Sequence, residues 1–325
     1  MVKKWIWRIV AGFLLLLLFT QINVNELQIS LRQIHWTVIS GVFLLQIVTQ
    51  LLLNLQWYQI AKFAATPISF WRMFYINSQG SVMEAITPGV KVGGEITRAV
   101  QISRLGNCTA SQAAVIVALQ KIFSLSAFFL INVFSIIYLS NQGALIQAKS
   151  ARLTITVLLA SIILFFMLIF LVPKRILSWI PKKENAIYVF FNNLLEHIIL
   201  FEKQKTELIA QFLLALLIWL LYPLKLYLLA IQVQPGLSLV YIVSVTFISY
   251  MIAMLPLFPG GLGGFEGTMT GLLTGLGLSF SSAAILAVIF RFITFWFVLL
   301  ASVIYIGFYK VSRKIMYKER MLPDE

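Results

Sequence analysis

From Trp36 to Ile60 the chain runs twenty-five residues without a single Asp, Glu, Lys or Arg. An α-helix needs roughly 20 such apolar residues to cross a hydrocarbon core. Comparable runs cover Ser111 to Leu139, Leu153 to Leu171, Leu208 to Ile231 and Ala283 to Phe308. An earlier run, Trp5 to Ile22, follows Lys3 and Lys4 like the start of a signal peptide. No small-x-small cleavage site follows Phe19-Thr20-Gln21, so the sequence predicts a retained first helix. Over the whole chain 60% of residues are hydrophobic and 11% charged, with a mean hydropathy of +0.93. These values exclude a soluble fold. The expected fold class is an all-α polytopic membrane protein with about six full spans and two re-entrant, broken-helix hairpins.

The hairpins are expected where apolar stretches break. Phe70 to Ile86 runs into Thr87-Pro88-Gly89, and Val240 to Leu257 runs into Pro259-Gly260-Gly261. Proline removes a backbone donor and glycine loosens the helix. Short helical pieces follow at about Gly94 to Leu105 and Gly264 to Gly277. Non-helical backbone at membrane depth survives only inside protein or along a cavity.

The formal net charge is +14. In a soluble chain that excess would point to nucleic acid; here the bases lie between apolar runs and point to the membrane surface. With the N-terminus cytoplasmic, nineteen of the twenty-five Lys and Arg fall on the cytoplasmic side. Arg32, Lys149 and Arg152 fall outside, while Lys121, Lys225 and Arg291 lie within apolar runs. The positive-inside rule therefore places both termini in the cytoplasm of a plasma (inner) membrane protein. On this topology the two hairpins enter from opposite sides.

Pro259 lies 171 residues after Pro88, and the same offset carries Gly89 to Gly260 and Glu95 to Glu266. The first motif reads PGVKVGGE, with Gly93 and Gly94 before the acid; the second reads PGGLGGFE, with Gly261, Gly263 and Gly264. The offset also takes Lys121 to Phe292, beside Arg291. Residues 36–140 and 207–310 thus read as two copies of one unit with inverted topology, the arrangement of alternating-access transporters. Residues 173–206 form a cytoplasmic linker between them, and 311–325 a basic tail suited to anionic lipid.

A lone charge at the helix centre costs at least about 2.5–3.5 kcal/mol in hydrocarbon, so intramembrane ions mark functional sites. Two readings apply to Glu95 and Glu266. Each can cap the amides that open its short helix, or pair with a base: Glu95 with Arg98 or Lys121, Glu266 with Arg291. Glu84 and Lys225 join the candidate substrate-binding and translocation residues. Lys121, Lys225, Arg291 and Arg98 outnumber Glu84, Glu95 and Glu266, which points to a cavity for a phosphate-bearing headgroup. Only one Asp, Asp324, and two His, His35 and His197, occur. An aspartyl phosphate, an aspartate dyad or a multi-histidine metal site is thereby not expected, and neither a metal nor a cofactor is implied. Cys108 is the sole cysteine and allows no intramolecular disulfide.

TPGVKVGGEITRA (87–99), PLFPGGLGGFEG (256–267) and the later Phe290-Arg291-Phe292 together resemble the lysylphosphatidylglycerol synthase transmembrane family. Its members are also called flippase-like membrane proteins, and it includes the membrane half of the multiple peptide resistance factors. The resemblance covers nearly the whole chain. It implies movement of a lipid between leaflets, in the best known members an aminoacylated phosphatidylglycerol. The family pattern usually has Glu-Arg where this chain has Gln120-Lys121. That keeps the charge and loses bidentate geometry. No aminoacyl-transferase domain is expected within the sequence, which runs to Glu325, so the chain is read as a transporter rather than an enzyme. Expected partners are membrane lipids, with no nucleic acid; a homo-oligomer or a separate lipid synthase is left open.

Within the linker, Phe190, Phe191, Leu194, Leu195, Ile198 and Ile199 form one apolar face, as in an interfacial helix. His197, on the opposite face, is read as a surface residue. The leading functional reading is a lipid translocase. The alternatives are an ion-coupled carrier of a small soluble anion and a membrane-embedded lipid-modifying enzyme.

Overall fold

A computed structural model gives the fold and describes residues 34–87, 92–141, 186–254 and 261–319. Among the described residues all regular elements are helices. They are α1 (Trp36–Phe63), α2 (Phe70–Ile86), α3 (Val92–Gly106), α4 (Ala110–Asn141), α5 (Ala186–Lys203), α6 (Lys205–Val233), α7 (Leu239–Ala253), α8 (Gly264–Thr274) and α9 (Phe280–Arg291). A π-helical turn, Phe292–Trp296, then joins α9 to α10 (Phe297–Glu319). Trp36–Phe63, Ala110–Leu139, Lys205–Val233 and Phe280–Ser312 are long and apolar enough to cross a bilayer. These are four of the six expected spans. The other two, Trp5 to Ile22 and Leu153 to Leu171, lie outside the described residues, as do Pro88, Gly89, Pro259 and Gly260.

α1 is built inside out. Its buried residues include Gln46, Thr49, Asn54 and Gln56, while Leu44, Ile47, Val48 and Leu51 are exposed. In lipid an outward leucine loses nothing, whereas an outward amide lacks a partner, so the polar stripe turns inward. Asn54 donates to the Phe70 carbonyl at 3.0 Å and accepts from Asn77 Nδ2 at 2.9 Å, which ties α1 to α2. Gln56 donates to the Gln211 carbonyl at 3.2 Å and so ties α1 to α6.

Two large apolar clusters make up most of the interior, with a small third at Ile136, Leu139 and Ile248. One gathers Trp57, Ile76, Phe123 and Phe128 from α1, α2 and α4; the other gathers Leu226, Phe265, Met269 and Phe290 from α6, α8 and α9. Tyr222 and Tyr250 pack against both and mark the seam between them. Pro223, inside α6 at this seam, removes the bond its amide would have made to the Trp219 carbonyl. α2 packs along α10, where Tyr75 and Tyr309 stack with ring centroids 4.4 Å apart.

The linker helix α5 departs from a single membrane-facing stripe. Leu194, Leu195 and Ile198 are buried against the bundle, whereas Val189, Phe191 and Leu200 stay exposed. Asn193 Nδ2 donates to Ser111 Oγ at 2.9 Å, fixing α5 beside the start of α4. The apolar face is therefore divided between protein and surroundings, because α4 offers a polar anchor at its first turn. His197 makes a local contact to the Asn193 carbonyl at 2.7 Å.

α2 and α3 approach closely at glycine. A Cβ on Gly94 would lie 2.7 Å from the Gly80 carbonyl oxygen, and one on Gly80 would lie 2.6 Å from Arg98 Cζ. Overpacking of this kind typically costs about 1–3 kcal/mol. Gly94→Ala is expected to lower the thermal unfolding midpoint of the detergent-purified protein, while Gly41→Ala, with open space around its Cβ, leaves it in place.

Candidate functional site

The site begins with a charge that cannot reach water. Arg98, on α3, is 4% exposed and would be untenable there alone. Its Nη1 donates to Glu84 Oε1 of α2 at 2.5 Å and to Glu95 Oε1 of its own helix at 2.9 Å. The guanidinium also lies over the Trp57 ring, 5.5 Å from the centroid. Lys121 Nζ, on α4, reaches the same Glu95 oxygen at 2.6 Å. Glu84, Arg98, Glu95 and Lys121 thus form one continuous ionic chain across three helices.

The second motif meets the same constraint with fewer groups. Gly263 opens α8 at φ 82°, a conformation that favours glycine, and its N–H donates to Glu266 Oε2 at 2.7 Å. Glu266 Oε1 faces Arg291 Nε at 3.3 Å. Capping and pairing, read from the sequence as alternatives, coexist on the two oxygens of this carboxylate. Arg291 also lies over Phe265 at 4.9 Å and Phe295 at 4.3 Å. Phe295 belongs to the π turn that follows Arg291; such turns recur at functional sites.

Between the two motifs lies a cavity of about 190 Å³, lined by Glu84, Arg98, Lys121 and Arg291 together with Gln56, Gln120, Trp219 and the two seam tyrosines, Tyr222 and Tyr250. Glu95 and Glu266 stand behind these bases as their counterions. Lys225 does not line the cavity. It is fully buried between α6 and α1, where Nζ donates to Gln46 Oε1 and, at 3.0 Å, to Thr49 Oγ1. The expected excess of bases over acids in the cavity is thereby revised. Arg98, Lys121 and Arg291 are matched by Glu84, Glu95 and Glu266, and the unmatched base is Lys225. The physical reason is distance along the chain: the groups that receive Lys225 lie on α1, far from it in sequence.

Gln120, where the family pattern has Glu, donates to Gln56 Oε1 at 3.2 Å. An amide pair replaces a carboxylate, and Lys121 keeps a single point contact to Glu95. Trp219 Nε1 donates to the Ser124 carbonyl at 2.9 Å, which binds α6 to α4 at the cavity wall. Of these groups only Gln120 and Lys121 stand out in the sequence. The signal for Gln46, Thr49 and Gln56 was present as polar residues recurring at helical spacing through an apolar run.

A family model described as the lysylphosphatidylglycerol synthase TM region matches residues 5–302. The chain belongs to this family. It is also similar to a UPF0104 membrane protein of Methanothermobacter thermautotrophicus, with 25% identity over 290 residues, 82% of this chain and 84% of that protein. Membership, together with the long apolar helices, makes the chain a multi-pass membrane protein of a family linked to lipid handling. Both glutamate motifs and the bases they hold fall inside the region matched to the family.

Removing one member of a buried ion pair typically costs about 3–5 kcal/mol, because the partner is left charged and dry. Arg98→Met is expected to destabilise the protein by about that amount in thermal or denaturant unfolding. Adding Glu84→Gln to Arg98→Met is expected to restore part of the loss, since Lys121 still answers Glu95. A double variant no more stable than Arg98→Met would show that the Glu84 contact carries no coupling.

Proposed function

We propose that the protein is a lipid translocase that moves a phosphate-bearing, in some cases aminoacylated, phospholipid headgroup between leaflets of the plasma membrane. The observation that carries this reading is the cavity shared by both motifs, with Glu84, Arg98 and Lys121 on one side and Arg291 on the other. At about 190 Å³ it falls below the roughly 300–1,000 Å³ of pockets that enclose a whole drug-sized ligand. A headgroup fits that volume while the acyl chains remain in the bilayer. Nearby, α4, α6 and α7 border a groove lined only by apolar side chains, Phe134 and Leu220 among them. Such a groove suits an acyl chain and offers nothing to a hydrated anion.

The inverted repeat belongs to the same proposal. Shifting the starts of α1 to α4 by 171 residues gives 207, 241, 263 and 281, against 205, 239, 264 and 280 for α6 to α9. Packing follows the same exchange: α2 against α10 answers α7 against α4, and α1 meets its counterpart α6 directly. These correspondences support two re-entrant hairpins, α2–α3 and α7–α8, entering from opposite faces. The distribution of bases supports cytoplasmic termini and contact of the basic tail with anionic lipid. The chemistry required is transport rather than synthesis.

The test is leaflet exchange of chain-labelled phosphatidylglycerol and lysylphosphatidylglycerol by the protein in liposomes. Glu95→Gln, Glu266→Gln and Arg291→Ala are each expected to slow exchange at least about tenfold, the effect of about 1.4 kcal/mol on a barrier. Three variants that exchange lipid as fast as the parent would remove these residues from the site.

A further inference from the structure

Among the described residues Lys225 is the intramembrane base that the paired ions of the cavity leave over, and its surroundings are unusual for an ammonium. It is 0% exposed, yet no carboxylate stands within ion-pair distance among the described residues. Its three partners are neutral: Gln46 Oε1, Thr49 Oγ1, and the Tyr222 ring with its centroid 4.2 Å from Nζ. The Thr49 hydroxyl donates to the Leu45 carbonyl at 2.6 Å, so toward Lys225 it acts as an acceptor. An ammonium has three donors, and each has a place to point.

The same pocket serves the neutral amine. Gln46 Nε2 is buried and has no acceptor among the described residues. A half-turn of that amide exchanges oxygen for NH2 and presents a donor to a lysine lone pair. A fixed carboxylate would hold the proton permanently; a reversible amide and a hydroxyl accept either state. Tyr222 separates this pocket from the cavity, for it lines the cavity on one face and covers Nζ with its ring.

Several titratable groups on the helices packed against α6 have partners of their own: Tyr241 of α7 and Tyr138 of α4 meet edge to face at 6.1 Å, and Tyr58 of α1 meets Phe70 at 6.0 Å. On α7, Tyr250 lies against Tyr222 with ring centroids 5.3 Å apart. On α9, Arg291 faces Glu266, and on α4, Lys121 is held by Glu95. α5 carries Glu196, which accepts from Asn192, and His197, bound to its own helix. α1 contributes only the amide and the hydroxyl at this level.

We propose that Lys225 is a proton-binding site that gives up and regains one proton in each transport cycle. In the step a displacement of the Tyr222 ring admits cavity water to Nζ, the ammonium passes H⁺ to that water to give H3O⁺, and –NH2 is left hydrogen-bonded by the rotated Gln46 amide; the reverse step reloads it. No electrons move and no co-reactant is consumed. The cycle rests on the translocase reading; the proton site itself does not.

The experiment places wild type, Lys225→Met and Lys225→Arg in liposomes that contain an internal pH dye and chain-labelled phosphatidylglycerol, with an imposed pH gradient. Lipid exchange and proton flux are read separately. Wild type is expected to exchange lipid faster with the gradient than without it and to dissipate the gradient. In Lys225→Met, and in Lys225→Arg, whose guanidinium does not release its proton, proton flux falls to that of empty liposomes and the gradient no longer alters exchange. Wild-type lipid exchange without proton flux overturns the proton site and leaves the translocase standing. Proton flux that both variants abolish, with no exchange of labelled lipid, supports the site and counts against the translocase reading. Proton flux unchanged in both variants overturns the proposal.

Discussion

A charge inside hydrocarbon must be answered by another charge, and that requirement shapes the first half of this protein around Arg98. The guanidinium meets Glu84 on the neighbouring helix only because α2 and α3 come into backbone contact, and they do so where neither Gly80 nor Gly94 has a side chain. The glycines are thus needed for the ion pair as much as for any turn. Once Arg98 is fixed, Glu95 is oriented by it, and the remaining capacity of that carboxylate draws Lys121 and hence α4 into the same chain. Gly80 supplies the floor on which the guanidinium rests and Trp57 the face above it.

The two motifs satisfy one rule by different means. In the first, the carboxylate gives both its contacts through Oε1 to bases from two helices, and Oε2 stays without a partner among the described residues. In the second, Glu266 divides its oxygens between the helix opening at Gly263 and Arg291. The first arrangement draws α4 to α3; the second secures the opening of α8 and holds its base, at the end of α9, among aromatic neighbours. Parting α2 from α3 breaks the Glu84–Arg98 ion pair, and parting α8 from α9 breaks the Glu266–Arg291 pair.

Much of this was legible in the sequence. The described spans appear where apolar runs of bilayer length occur, and the Glu–base pairs follow from the cost of a solitary ion at depth. Glu84, for which the sequence named no partner, pairs with Arg98. What could not be read was direction. In α1 the mean composition is apolar all round, and nothing in the run says that Gln46, Thr49, Asn54 and Gln56 share an inward stripe until a partner helix exists to receive them. Lys225 shows the same limit: its acceptors lie some 180 residues away, at Gln46 and Thr49, so the sequence placed it among the cavity bases while the fold seats it behind Tyr222. The α5 helix was recognised by its period, but the division of its apolar face depended on Ser111 lying within reach of Asn193.

The pairing of ions has a consequence for binding. A cavity with unmatched bases would hold a phosphate tightly, since each new contact would be a net gain in a dry site. Here Arg98, Lys121 and Arg291 already have carboxylate partners, so an incoming phosphate gains a base only as that base loosens from Glu84, Glu95 or Glu266. An ammonium on the headgroup could take up the carboxylate so released, and two ion pairs, one in the protein and one within the headgroup, would be exchanged for two between them. Binding by exchange is close to balanced in free energy, and a balanced site releases its cargo as readily as it accepts it, the condition that conduction through any membrane site imposes. On the translocase reading, three matched bases around a small cavity thus favour turnover over retention.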